Sequence, residues 1–387
     1  MITLILTLFL SYSSAKPLPN PPQSDPALIG WSGLIGTAAP NLIDVPYDRY
    51  TENLREFVLD DGSLMGGLLF MQDAQGLTPR PLIIANFGSL SDRWSSAGSA
   101  FIRGVVLANK LRANVLVVDS ISGAGFYSLN ESLSLGGYDE GRALVQLAKA
   151  ISADKTIPHT TLHLLGVSLG GAAVMHALVE DQRLGTDLFK SAISFSGVTH
   201  HDELTDCVLN MFNYSLKNSS GCKLSWTGNQ IIKSALKHYK ATLRSEVMLK
   251  LKAEDKILSS NNAGQRFYNL FHARLSAQTT KNIKSRTLEN LFPWNPEVET
   301  ESVESYLKTS SVIFLKNINK LKVPLIVIHA KNDPIVPYAH YKRFVDVTSS
   351  SEFVMTHRTR FGGHWGYIAS HGTDWVAELV NRILPAK

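Results

Sequence analysis

The sequence predicts an α/β fold: a mostly parallel central sheet with helices on both faces and a largely helical cap inserted into it. Three features point there. Short apolar runs recur along the chain, helix-length amphipathic segments separate them, and one long stretch breaks that rhythm. With 387 residues, 44% of them hydrophobic, the chain is long enough for one large core carrying an insertion.

The chain opens on an apolar block, Met1 to Leu10, followed by Ser13-Ser14-Ala15. The small-x-small pattern suits signal-peptidase cleavage after Ala15, so residues 1–15 are expected to be a signal peptide and the protein to be exported, secreted or periplasmic. The block lacks the usual basic flank, which leaves a displaced start or a short anchor as the rival reading; it is too short to span a bilayer. Residues 16–27, rich in proline and polar side chains, form an extended lead-in, and the folded core is expected over 28–199 and 321–387.

Between Glu56 and Phe70, Asp61-Gly62 separates two apolar-rich stretches, the signature of a hairpin at an antiparallel sheet edge. Buried strands are then expected at Pro81–Ala85, Val115–Val118, Leu162–Leu165, Ala192–Phe195 and Val323–Ile328, with a weaker one at Phe353–Met355. Helices are expected near Ser96–Leu111, Tyr138–Ile151, Leu169–Asp181 and Trp375–Leu384.

Residues 200–320 show helical patterns such as Ile231–Leu251 but no strand-helix-strand unit, and are expected to form the cap. This stretch carries 17 Lys/Arg and 11 Asp/Glu, a surplus of 6 that exceeds the +5 of the whole chain. A solvated helical face is the plain interpretation; the alternative is peripheral contact with anionic lipid or attraction of anionic substrates. No basic run is dense enough for a nucleic-acid footprint, so nucleic acid is not expected as a partner. Cys207 and Cys222 are the two cysteines: they are either a disulfide of an exported protein or two thiols, and their spacing fits no metal site. Sequons stand at Asn130, Asn213 and Asn218.

The chemistry-bearing segment is Gly166-Val167-Ser168-Leu169-Gly170-Gly171, directly after an expected strand and before a helix-forming run. A serine nucleophile on so tight a strand-to-helix turn needs glycines around it, both for close packing and for the unusual backbone at the serine. Serine alone is a weak nucleophile, so a base must take its proton and a third group must orient that base. Asp333 leaves the strand Val323 to His329 on the turn Asn332-Asp333-Pro334, at the sheet edge expected to hold Ser168. His364 lies in the glycine-flanked loop Phe361-Gly362-Gly363-His364-Trp365-Gly366-Tyr367. Of the 12 histidines, His163, His176, His200 and His201 sit where structural roles suffice, and His357 and His371 lack the glycine setting of His364. The oxyanion of acyl transfer is expected to meet the backbone N–H of Leu169 and a second donor from the loop Asn86-Phe87-Gly88-Ser89-Leu90. Gly88 is the first choice there, with Phe87 and Ser89 as alternatives.

Together these motifs resemble the α/β-hydrolase superfamily, in particular its esterase and lipase branch, over about Phe57 to Leu384 and specifically at Gly166 to Gly171, Asn332-Asp333-Pro334 and Gly362 to Gly366. The resemblance implies hydrolysis of carboxylic esters through an acyl-enzyme without a cofactor or metal, on a small-molecule ester or lipid, with the cap shaping the pocket. The chain departs from the family pattern in carrying Asn86-Phe87 where a His-Gly pair usually stands, which leaves the second oxyanion donor open. It departs again at Ser120-Ile121-Ser122-Gly123, where an Arg-Gly is often found. A serine peptidase or aminopeptidase would use the same triad, and a hydrolase-fold binding protein would have lost it. Acyl length, leaving group and oligomeric state are not written in these motifs.

Overall fold

The computed structural model of the chain describes residues 51–72, 78–88, 111–130, 136–203, 308, 310–314, 317–333, 335–364 and 366–385. The signal-like segment, the lead-in, all but the last residue of the helix expected at Ser96–Leu111, most of the cap stretch, both cysteines and the sequons at Asn213 and Asn218 lie outside these residues.

Among the described residues eight strands form one sheet: β1 (Thr51–Val58), β2 (Leu64–Met71), β3 (Arg80–Asn86), β4 (Asn114–Val118), β5 (His159–Val167), β6 (Phe189–Phe195), β7 (Leu325–Ala330) and β8 (Val354–Thr359). Their order across the sheet is β1-β2-β4-β3-β5-β6-β7-β8, with β1/β2 and β2/β4 antiparallel and every later pair parallel. This is the α/β-hydrolase arrangement. The hairpin at its edge forms as expected: Gly62 turns the chain at φ 82° and donates its N–H to the Leu59 carbonyl.

Why the central strands are largely apolar follows from the two layers that cover them. The helices α2 (Tyr138–Ala153) and α3 (Leu169–Leu184) bury Leu144, Leu147, Ile151, Val174 and Leu178 against one face, together with Leu82, Ile84, Leu116, Leu162 and Leu164. On the other face Ile83, Val115, Leu165, Ile193 and Ile328 pack with Trp375, Val376, Leu379 and Val380 of α6 (Thr373–Arg382). Alternate residues of one strand thus feed two separate cores.

Three shorter helices complete the described framework: α1 (Ala124–Asn130), α4 (Tyr338–Thr348) and α5 (Tyr367–His371). At the end of α1, the Asn130 side chain accepts the Leu64 N–H and donates to the carbonyls of Leu64 and Phe126. A glycan on that nitrogen would replace one of its two hydrogens and so break one of the donated bonds. The chain also re-enters the core before residue 320, since Val312 and Ile318 are fully buried in the main cluster. Among the described residues no helix is long and apolar enough to cross a membrane.

Several histidines are locked in this framework as neutral rings. His163 bridges Thr161 and Ser191, His176 bonds the Ser310 carbonyl, and His201 is buried beside it. Burial lowers them to about 4, about 4 and about 3 respectively, against an ordinary value near 6.5. In the unfolded chain all three take up protons below about pH 6.5, whereas the native state does so only near pH 3 to 4. Stability from these rings is therefore complete above pH 6.5 and declines as the pH falls toward 4. Urea midpoints measured from pH 7.5 to 4.5 should fall steeply below 6.5, and His163→Gln should flatten the decline; a midpoint unchanged over that range would contradict the assignment.

Candidate active site

β5 ends at Val167, and the chain turns at once into α3 through Ser168, whose backbone sits at φ 59°, ψ −126°. That conformation is costly for any residue with a Cβ, of order 1–3 kcal/mol, and it persists only where neighbours dictate it. Here they do. The Ser168 N–H donates to the Phe195 carbonyl at the end of β6, and the Ser168 carbonyl accepts from Gly171, Ala172 and Val198.

The flanking glycines act by close approach. A methyl group on Gly166 would collide with the Gly170 carbonyl, and one on Gly170 would collide with the backbone of Asn86 at the end of β3. One on Gly171 would stand 2.5 Å from Ser194 Oγ and 2.7 Å from Gly197 Cα. The serine side chain is left half-buried at the carboxyl edge of the sheet, directly before the first N–H groups of a sixteen-residue helix.

β6 lies between β5 and β7, so the turn after β7 stands two strand spacings, roughly 10 Å, from the turn after β5. Asp333 lies on that second turn, its carboxylate accepting the N–H groups of Ile335 (2.8 Å) and Val336 (2.9 Å). His364 arrives from the loop after β8 and places Nδ1 2.9 Å from Asp333 Oδ2 and 3.1 Å from Oδ1. A carboxylate only accepts, so Nδ1 carries the proton and donates, which leaves Nε2 of a neutral ring as the basic nitrogen. Both side chains are almost wholly buried, at 1% and 0% exposed. Burial would raise the Asp333 carboxyl, but the His364 ring, its hydrogen bond, His329 and the Val336 amide together hold it below the usual carboxylate range.

The structure thus joins Asp333 to His364 and sets Ser168 at the same sheet edge. The competing histidines are engaged elsewhere: His200 with Thr199 and the His340 ring, His371 with the Phe361 carbonyl, and His357 with the Trp375 ring.

Two residues not singled out in the sequence fasten the acid turn to the histidine loop. Asn332 Oδ1 accepts the Gly363 N–H at 3.0 Å. Tyr367, fully buried, packs its ring edge-on to Phe195 at 5.3 Å and pairs its hydroxyl with Ser196 Oγ at 2.8 Å. Its ring fills the space above Gly362, where a methyl group would stand 2.8 Å away. Tyr367 stood in the motif read around His364, but nothing local to it signals a tie to the end of β6.

At the expected oxyanion loop, Gly88 takes φ 87°, and a side chain there would stand 2.8 Å from Leu169 N and 3.0 Å from Gly170 N. Gly88 therefore lies directly over the start of α3. The Gly88 N–H, however, donates to Asn86 Oδ1 at 2.9 Å. In this conformation the amide expected as second donor is committed to Asn86, and what Gly88 gives the site is the space of its missing side chain.

Among solved structures, the chain is similar to a puromycin hydrolase, with a TM-score of 0.50 at 14% identity over 86% of this chain and 39% of that one. It is also similar to an esterase from Pyrococcus furiosus (TM-score 0.49, 13% identity, 86% of this chain and 92% of that one). Naproxen esterase from Bacillus subtilis gives 0.47 at 15% identity over 93% and 99%. No protein-family model and no curated protein sequence matches the chain. At 14% identity the likeness to the puromycin hydrolase carries the fold alone, and the chemistry must be argued from the side chains.

The close packing at the turn makes a stability prediction. Gly170→Ala should cost about 1–3 kcal/mol in urea unfolding, because the added methyl group meets the Asn86 backbone and its buried, hydrogen-bonded Oδ1. A cost under about 0.5 kcal/mol, within the ordinary range for a surface change, would show the turn to be looser than described.

Proposed function

We propose that the protein is a serine hydrolase that cleaves carboxylic esters through an acyl-enzyme, with Ser168 as nucleophile, His364 as base and Asp333 as the group that orients it. The observation that carries this reading is the buried Asp333–His364 pair at the carboxyl edge that also holds the strained Ser168 turn. His364 Nε2 takes the serine proton as Oγ attacks the carbonyl carbon, and returns it to the alcohol oxygen as the ester bond breaks. Asp333 stays ionised throughout and stabilises the imidazolium. Water then repeats the two steps on the acyl-serine, releasing the acid.

The developing oxyanion is assigned to the Leu169 N–H at the head of α3, where the helix dipole favours negative charge. A second donor is assigned to the loop after β3, where the Gly88 amide is held by Asn86 Oδ1 and the amides of Phe87 and Ser89 are the remaining candidates. The basic balance of residues 200–320 favours substrates that are anionic or lie in an anionic lipid surface, and the N-terminal segment favours an exported protein.

Purified protein should release p-nitrophenol from p-nitrophenyl butyrate, and Ser168→Ala should lower kcat by roughly 10³-fold or more with KM little changed. Asp333→Asn, which keeps the shape but cannot hold the imidazolium, should cost a loss of similar order. Equal rates for the wild type and Ser168→Ala would remove the proposal.

A further inference from the structure

Behind the loop that covers Leu169 lies a polar chain absent from the mechanism so far. Glu140, in the first turn of α2, is wholly buried, and its Oε1 accepts from Asn86 Nδ2 at 2.9 Å and from the Ile121 N–H at 3.2 Å. Asn86, also wholly buried, turns its other end to the Gly88 N–H. One carboxyl group thus ties the loop after β4, the start of α2 and the last residue of β3.

An asparagine amide is symmetric in shape but not in hydrogen bonding, and which end faces Gly88 must be decided by its partners. Glu140 decides it. Its Oε1 faces the amide as an acceptor, so Asn86 can satisfy both neighbours only with Nδ2 toward Glu140 and Oδ1 toward Gly88. The opposite rotamer would set an acceptor against Oε1 and a donor against the Gly88 N–H, leaving buried polar atoms unpaired. Burial raises the Glu140 carboxyl, and the hydrogen bonds from Ser120, Asn86 and Ile121 oppose that rise. The position matters because the Asn86 backbone and Oδ1 are what a methyl group on Gly170 would strike. Asn86 is therefore packed against the nucleophile turn itself.

Building on the serine-hydrolase reading, we infer that Asn86 and Glu140 are positioning residues for the oxyanion loop: Glu140 fixes the Asn86 amide, and Asn86 fixes Gly88 over the Leu169 N–H. Asn86 occupies the place where the sequence departs from the His-Gly pair of the esterase pattern, and the Glu140 bond supplies a fixed side chain at that position. The effect is on the geometry of the transition state, so it falls on kcat and leaves ground-state binding largely intact.

The test is hydrolysis of p-nitrophenyl butyrate by Asn86→Asp, Asn86→Ser, Glu140→Leu and Glu140→Gln, with active sites counted by a fluorophosphonate and folding followed by thermal unfolding. Asn86→Asp cannot donate to Glu140, and Glu140→Leu cannot accept. Each should lower kcat per titrated site about 10- to 100-fold with KM changed by less than about threefold. Glu140→Gln, whose carbonyl oxygen still accepts from Asn86, should recover at least about tenfold over Glu140→Leu. Asn86→Ser, smaller and less able to misfold by repulsion, should match the loss of Asn86→Asp. If each variant loses only the number of titrated sites and keeps the wild-type kcat per site, the role is structural and the inference fails. A wild-type protein that neither labels nor hydrolyses would instead overturn the hydrolase reading, independently of these variants.

Discussion

The site depends first on a backbone held where an L-residue does not willingly go. Ser168 at φ 59° is stable only because β6 takes its N–H, the following residues take its carbonyl, and the glycines at 166, 170 and 171 let strand, helix and neighbouring turns close around it. Each contact comes from a different part of the chain: Asn86 from β3, Phe195 and Gly197 from β6 and the turn after it, and Gly170 from α3 itself. The parallel sheet is the device that brings those chain segments to one edge.

A second constraint is electrostatic. An ionised carboxylate removed from water is expensive unless it is hydrogen-bonded, and Asp333 is satisfied by two backbone N–H groups and by the His364 ring. The same bonds that make the carboxylate tolerable also fix the tautomer of the imidazole. Asn332 and Tyr367 then hold the acid turn and the histidine loop against each other and against β6. On the other side of Ser168, Glu140 and Asn86 do a comparable job for the loop after β3. The serine turn is thus braced from both flanks by buried polar side chains, where each bond left unmade would carry a desolvation cost.

Much of this was legible in the sequence, for reasons that differ by element. The central strands declare themselves because two-sided burial makes continuous apolar runs, and the expected strands all appear, mostly longer than the apolar run by a few flanking residues. β5 starts at His159 and not Leu162, since its first residues are polar and sit at a partly exposed end. The helix α4 went unread because its buried side chains include His340 and Tyr341, which break the apolar signal; α5 is five residues long and carries no periodicity. Ser168, Asp333 and His364 could be picked out because the strand-to-helix serine turn, the Asn-Asp-Pro turn and the glycine-flanked histidine each have a local signature, and the structure brings the last two into hydrogen-bond contact. Glu140 was not. Its role arises from a bond to a residue 54 positions away, and no local pattern encodes that.

The account turns on Ser168 being the reactive oxygen at this edge. Intact protein treated with a fluorophosphonate and then digested should carry the phosphonyl mass on the peptide containing Ser168 and on no other, and His364→Gln should abolish the labelling while the protein remains folded. Labelling of another residue, or undiminished labelling of Ser168 in His364→Gln, would contradict it.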